Sequence, residues 1–232
     1  MKEKLAIFIF LMLRIILVFS FQFIGYLFVI EQPDSWQKSA SLWMVYLTLT
    51  NLLLLIVMVI AFKKAKQSYT AFFEMKDRSS LILFLKWLPA LVIMAVGPNL
   101  FLSLLFYSDI QAGAELLLLD PPVWAMVVAL SLFPVLQGLV ELPFYFMFVM
   151  PILKQVSKKR WIYLGIPILF LSIQHAFMPF FSDVTYIIYR SLMFLPFALL
   201  IGLLLEMKPK LLPYLSILHI LMNLSFMLMM FI

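Results

Sequence analysis

The stretch SLWMVYLTLTNLLLLIVMVIAF, residues 41–62, carries no charged side chain and is almost entirely apolar. About 20 such residues allow a helix to cross the roughly 30 Å hydrocarbon core of a bilayer. About six further runs of similar length and character are present. They lie near residues 5–30, 80–107, 122–153, 162–182, 185–206 and 211–232. The sequence therefore predicts an all-α fold, a polytopic transmembrane helix bundle of about seven spans.

The composition supports the same class of protein. Hydrophobic residues make up 66% of the chain and charged residues only 12%, with a mean hydropathy of +1.11. A soluble domain is roughly half apolar and a quarter charged, so a soluble globular fold is excluded. We expect one integral membrane domain over residues 1–232, with the lipid bilayer as its surroundings and no nucleic-acid partner.

Basic side chains alternate between the predicted connections. They precede the first run and follow the second, fourth and sixth, whereas the other connections are acidic apart from Lys38. Because cytoplasmic loops are enriched in lysine and arginine, this predicts a multi-pass protein of the cell membrane with its N-terminus inside. The basic residues are Lys2, Lys4, Lys63, Lys64, Lys66, Lys76, Arg78, Lys154, Lys158, Lys159, Arg160, Lys208 and Lys210.

Ionisable side chains within the spans are costly and commonly mark functional sites. Lys86 and Arg190 lie near enough to a boundary for their long side chains to reach the interface. Arg14 lies deeper, and the sequence reveals no partner for it. Glu141, His175 and His219 have short side chains that cannot reach water in this way.

These three residues are predicted to share one depth. At 1.5 Å per residue, Glu141, His175 and His219 lie about 18, 20 and 12 Å from the inner ends of their helices. Each belongs to a polar stripe with helical spacing, and Asn223 lies one turn after His219. Pro143 also removes a backbone donor from the carbonyl of Leu139. We therefore expect a shared polar cavity, the alternative being simple interhelical hydrogen bonds.

The residue types in this cavity fit hydrolysis of a peptide or other acyl bond. A carboxylate and an imidazole can deprotonate water, while a second imidazole and an amide can stabilise an oxyanion. Two histidines and a glutamate are also a known zinc ligand set, so Glu141, His175 and His219 are candidate ligands for Zn²⁺. The residues alone leave a metal-dependent and a metal-free reaction both open.

Three segments resemble the motifs of the CAAX-protease and bacteriocin-processing (CPBP, or Abi) family of intramembrane proteases. They are GLVELPFYFMFVMP, IQHAFMPF and HILMN, in that order. The resemblance covers about residues 120–232 and implies a protease-like core there, a membrane-associated peptide or protein substrate and a bacterial source. It also implies that Glu141 and His175 activate water, and that His219 and Asn223 hold the oxyanion.

The first motif departs from the family pattern EExxxR. Leu142 replaces the second glutamate, and Phe146 stands where the arginine belongs, giving ExPxY instead. The favoured function is an intramembrane endopeptidase. The alternatives are a catalytically inactive relative that acts as a membrane scaffold, and a proton-coupled carrier in which Glu141 and the histidines form a relay.

Overall fold

A computed structural model describes the backbone of residues 2–231 and the side chains of residues 9–230. It is 82% helical, and the described residues form no strands. The prediction of an all-α bundle of about seven spans is confirmed. The longer helices are α1 (Lys2–Phe28), α2 (Trp43–Lys64), α3 (Arg78–Tyr107), α4 (Val123–Val156), α5 (Trp161–Ala176), α6 (Val184–Met207) and α7 (Leu212–Phe231).

Six of these helices are long and apolar enough to cross a membrane, and α5 is a shorter apolar helix. The side chains of Lys2 and Lys4, and Ile232 at the end of the last predicted run, lie outside the described residues.

The basic connections meet at one end of the bundle. Lys208, after α6, lies 3.3 Å from Asp77, before α3. Arg160, before α5, pairs with Glu206 of α6 at 2.6 Å. The connections α2–α3, α4–α5 and α6–α7 therefore share an end, as the alternation of charge predicts. Which membrane face this end occupies stays a prediction from the positive-inside rule.

Helix α4 is the central element of the bundle, packed against α2 and α7. Its residues Pro143–Val149 form a π-helical segment, in which Phe144, Tyr145 and Phe146 are completely buried. As predicted, Pro143 leaves the carbonyl of Leu139 without its usual helical donor, and the Tyr69 hydroxyl donates to that carbonyl instead. The freed carbonyl therefore contributes to packing against the α2–α3 connection.

Helix α5 ends earlier than the run 162–182 suggests. The chain passes through a 3₁₀ turn at Gln174–Ala176 and leaves the helix before Asp183. Arg190 of α6 donates to the carbonyls of His175 and Met178 at 3.1 and 2.8 Å, and it is only 3% exposed. The prediction that Arg190 reaches the interface is wrong, because its guanidinium satisfies the carbonyls freed where α5 ends.

Candidate active site

Glu141 lies at the centre of a buried polar cluster in the bundle. Its side chain is completely buried, and one carboxylate oxygen, Oε1, accepts two hydrogen bonds and lies beside a guanidinium group. Gln137, one turn earlier on α4, and Gln174, at the end of α5, each donate to it at 2.7 Å. Nη2 of Arg14 on α1 lies 3.2 Å from the same oxygen. Three helices therefore fix the orientation of this carboxylate.

The other oxygen of Glu141 faces His219 on α7. His219 Nε2 lies 2.7 Å from Oε2, although the angle between them falls outside hydrogen-bond geometry. This contact depends on Gly138, where α4 and α7 approach closely. A Cβ atom at Gly138 would lie 2.7 Å from the backbone oxygen of Ser216 and 2.3 Å from Cγ1 of Ile220. Glycine at this position lets the carboxylate and the imidazole meet.

A second layer of polar groups supports this centre. Gln137 Oε1 accepts from Arg14 Nη2 at 2.7 Å and from Asn51 Nδ2 at 2.8 Å. The Tyr145 hydroxyl donates to Gln174 Oε1 at 2.9 Å. Because both amides also donate to Glu141, their orientation is set by hydrogen bonds on both sides. The predicted stripe Gln137, Glu141 and Tyr145 thus lies on one connected network.

His175 lies beside this network but is not hydrogen-bonded to Glu141. Its Nδ1 faces the carbonyl of Ser172 at 3.2 Å. Its ring packs on Phe194, with the ring centroids 4.0 Å apart. The neighbouring Gln174 occupies the position next to the carboxylate that the sequence suggested for His175. His175 is partly exposed, so it lies at the edge of the buried cluster.

Asn223 is likewise not hydrogen-bonded to the carboxylate. Its side-chain amide donates to the backbone carbonyl of His219 at 2.8 Å, within its own helix. The described structure therefore brings the Glu141 and His219 side chains together, and it shows no hydrogen bond from the side chain of His175 or Asn223 to either of them.

The predicted zinc ligands do not converge. Within the described part of the chain, no three His, Cys, Asp or Glu side chains are arranged to hold a metal ion. The predicted set of Glu141, His175 and His219 fails because the His175 ring is turned toward Ser172 and Phe194. In addition, the guanidinium of Arg14 occupies the neighbourhood of Oε1 and would repel a second cation.

Three members of the network, Arg14, Asn51 and Gln174, could not be identified from the sequence as partners of this site. Each is a polar residue within or next to an apolar run, which is the available signal. Helical spacing could not reveal them, because each lies on a different helix from Glu141. Only the packing of α1, α2 and α5 around α4 shows that they share one site.

In comparisons with known proteins, no family model, no curated protein and no solved structure matches this chain.

Proposed function

We propose that this protein is an intramembrane hydrolase that cleaves a peptide bond in a membrane-associated substrate. The observation that carries this proposal is the buried contact between Glu141 Oε2 and His219 Nε2 at 2.7 Å. A carboxylate that orients an imidazole is a recurrent arrangement for general-base catalysis. The hydrogen bonds to Oε1 leave the other oxygen directed at the histidine.

In the proposed reaction, Glu141 accepts a hydrogen bond from the Nε2–H group of His219 once substrate aligns the ring. Contacts of this kind are often poorly aligned before substrate binds. His219 Nδ1 is buried and has no hydrogen-bond partner among the described residues, and in this reaction it takes a proton from a water molecule that enters the cluster with the substrate. The resulting hydroxide attacks the substrate carbonyl carbon. The C–N bond then breaks, and the proton passes from Nδ1 to the leaving amine.

The other candidate residues receive different proposed roles. His175 lies on the partly exposed side of the cluster and is a candidate for contact with the substrate. Asn223 is engaged by its own helix, which argues against the oxyanion role that the resemblance implies. Zinc has no place in the proposal, because the candidate ligands do not converge on one position.

The arrangement of the three resembling segments supports a CPBP-like protease. The first segment contributes Glu141, the second contributes Gln174 at 2.7 Å, and the third contributes His219 at 2.7 Å. Segments distant in sequence therefore meet at one buried carboxylate. On this resemblance we also propose a bacterial cell membrane as the location.

A second candidate function is a catalytically inactive scaffold that binds another membrane protein. It is favoured by the two hydrogen bonds and the ion pair that occupy Glu141 Oε1, and by the complete burial of this side chain. Hydrogen bonds between helices are sufficient to explain such a network, without any catalytic role.

The test is cleavage of a panel of membrane-tethered peptides by the purified protein in nanodiscs. Glu141→Gln and His219→Ala are compared with wild type, and Glu206→Gln, a carboxylate at the basic end of the bundle, is the matched control. We expect wild type and Glu206→Gln to cleave, the two site variants not to, and a chelator to have no effect. Folded wild type that cuts no peptide, while still capturing a membrane partner, supports the scaffold instead.

A further inference from the structure

A second candidate site lies at the basic end of the bundle and shares no lining residue with the Glu141 cluster. It is a cavity of about 420 Å³ between the short helix Tyr69–Phe73 and the turn Pro209–Leu211. Its wall includes an aromatic ring and charges of both signs. The residues concerned are Phe72, Glu74, Lys76, Asp77 and Lys210.

The wall formed by the α2–α3 connection is anchored on the bundle. Tyr69 is 8% exposed and donates to the carbonyl of Leu139. Phe62 of α2 packs edge to face on Phe72, with ring centroids 5.0 Å apart. A connection held in this way presents a preformed surface, which lowers the ordering cost of binding a ligand.

The charge of Asp77 is already compensated. Its carboxylate accepts from the backbone N–H of Ser79 at 3.0 Å and from the hydroxyl of Ser80 at 2.9 Å. Lys208 Nζ lies 3.3 Å from Oδ2, the oxygen that also accepts from Ser80. Asp77 therefore shapes the cavity and caps α3, and it does not remain free to bind a cation.

The remaining charges are available to a ligand. Glu74 and Lys76 pair at 2.9 Å, but their side chains are 54% and 84% exposed, so this pair contributes little and opens readily. Lys210 is exposed and takes part in no ion pair among the described residues. The cavity thus offers one carboxylate and two ammonium groups on an apolar base.

We propose that this cavity binds the phosphoethanolamine headgroup of a membrane phospholipid. Lys76 and Lys210 would hold the phosphate, and Glu74 would accept hydrogen bonds from the headgroup ammonium. The basic end of the bundle is where lipid headgroups meet the protein, and the exposed side chain of Met75 lies beside the cavity.

The charge pattern distinguishes this headgroup from its common alternatives. A purely anionic headgroup, such as phosphoglycerol, would satisfy the lysines but place no donor against Glu74 other than hydroxyls. Phosphocholine carries a cation, but its trimethylated nitrogen has no N–H to donate. Of the three headgroups, only phosphoethanolamine has both a phosphate that accepts from the lysines and a charged N–H group that donates to Glu74.

The test is lipid retention measured by native mass spectrometry after release from nanodiscs that contain equal amounts of phosphatidylethanolamine, phosphatidylcholine and phosphatidylglycerol. We expect wild type to retain phosphatidylethanolamine preferentially. Glu74→Gln should lose that preference by about tenfold, the effect of one charge-assisted hydrogen bond, and should favour phosphatidylglycerol. Lys210→Met should retain less of all three lipids. Lys158→Met, at the same end but outside the cavity wall, should behave as wild type.

Two kinds of outcome would overturn the proposal. One is equal retention of the three lipids by wild type, or an unchanged preference in Glu74→Gln. The other comes from a parallel arm with soluble phosphoethanolamine, in which binding to delipidated protein at least as tight as lipid retention would identify a soluble ligand. All the variants lie away from Glu141 and His219, so the result is independent of whether the protein cleaves peptides.

Discussion

Arg14 of α1 and Glu141 of α4 form an ion pair in which neither side chain is exposed and Nη2 lies 3.2 Å from Oε1. The same guanidinium nitrogen donates to Gln137 at 2.7 Å. Charges inside a bilayer persist only where they are paired or hydrogen-bonded. The pair therefore ties the first helix to the centre of the candidate site.

Removal of Arg14 alone should strongly destabilise the protein. Arg14→Met leaves a buried carboxylate without its counter-charge, a change that costs about 3–5 kcal/mol. The double variant Arg14→Met/Glu141→Gln removes both charges and should recover most of this loss. Unfolding in mixed detergent micelles measures both effects, with Lys86→Met, an exposed cation of α3, as control. If the double variant is no more stable than Arg14→Met, the ion-pair interpretation fails.

Gly138→Ala should separate α4 from α7. The added methyl group meets the backbone of Ser216, which cannot move aside as a side chain can. We expect a loss of about 1–3 kcal/mol in the free energy of unfolding, typical of overpacking. Gly97→Ala is the matched control, because the nearest atom to its Cβ is Ile93 Cγ2 at 3.9 Å. That control should be neutral or more stable by up to about 1 kcal/mol, since alanine favours helices. Equal stability of the two variants would contradict the close approach at Gly138.

Asn223→Ala should have a small effect on cleavage. The amide is bonded to a carbonyl of its own helix, so its removal takes nothing from the Glu141–His219 pair. Loss of an oxyanion donor would instead lower the rate by about 10²–10³-fold. Cleavage rates of Asn223→Ala and His219→Ala on the same peptide separate the two cases. A loss of that size in Asn223→Ala would restore the oxyanion role implied by the family resemblance.

Asp77, which caps the start of α3, should make the free energy of unfolding depend on pH. Hydrogen bonds from the hydroxyls of Ser79 and Ser80 hold the pKa of Asp77 well below its ordinary value of 3.8. A carboxyl with a lowered pKa stabilises the fold above its ordinary pKa, and this contribution is lost as pH falls through the lowered value. Asp77→Asn should therefore be less stable than wild type at neutral pH, with the difference shrinking below about pH 4. Unfolding of both proteins across this range provides the measurement, and a pH-independent difference would count against a charged cap.

The sequence predicted the spans and the polar face of α4 because each depends on residues near one another in the chain. Apolar runs of sufficient length identify helices, and the spacing of Gln137, Glu141 and Tyr145 places them on one side. The partners of Glu141 could not be predicted, because the choice of neighbouring helix depends on three-dimensional packing. The sequence accordingly suggested His175 beside the carboxylate, whereas the turn that ends α5 places Gln174 there.

The sequence pattern also could not predict where α5 ends or which side chain lies at the interruption of α6. Apolar residues continue past Ala176, so hydropathy alone cannot detect the 3₁₀ turn. Helix α6 is interrupted at Phe194, two residues before Pro196. The aromatic ring of Phe194 packs on the ring of His175 at this point. A proline in the sequence indicates a local interruption, but it does not indicate which side chain fills the resulting space.

The Arg14–Glu141 pair has a consequence for the order in which the protein is made. Arg14 precedes Gln137 by 123 positions, and Glu141 follows one turn later, so α1 leaves the ribosome long before its counter-ion exists. An arginine at the centre of an isolated span costs about 2.5–3.5 kcal/mol during insertion. The apolar residues around Arg14 therefore have to offset this cost until α4 has been synthesised and supplies the counter-charge.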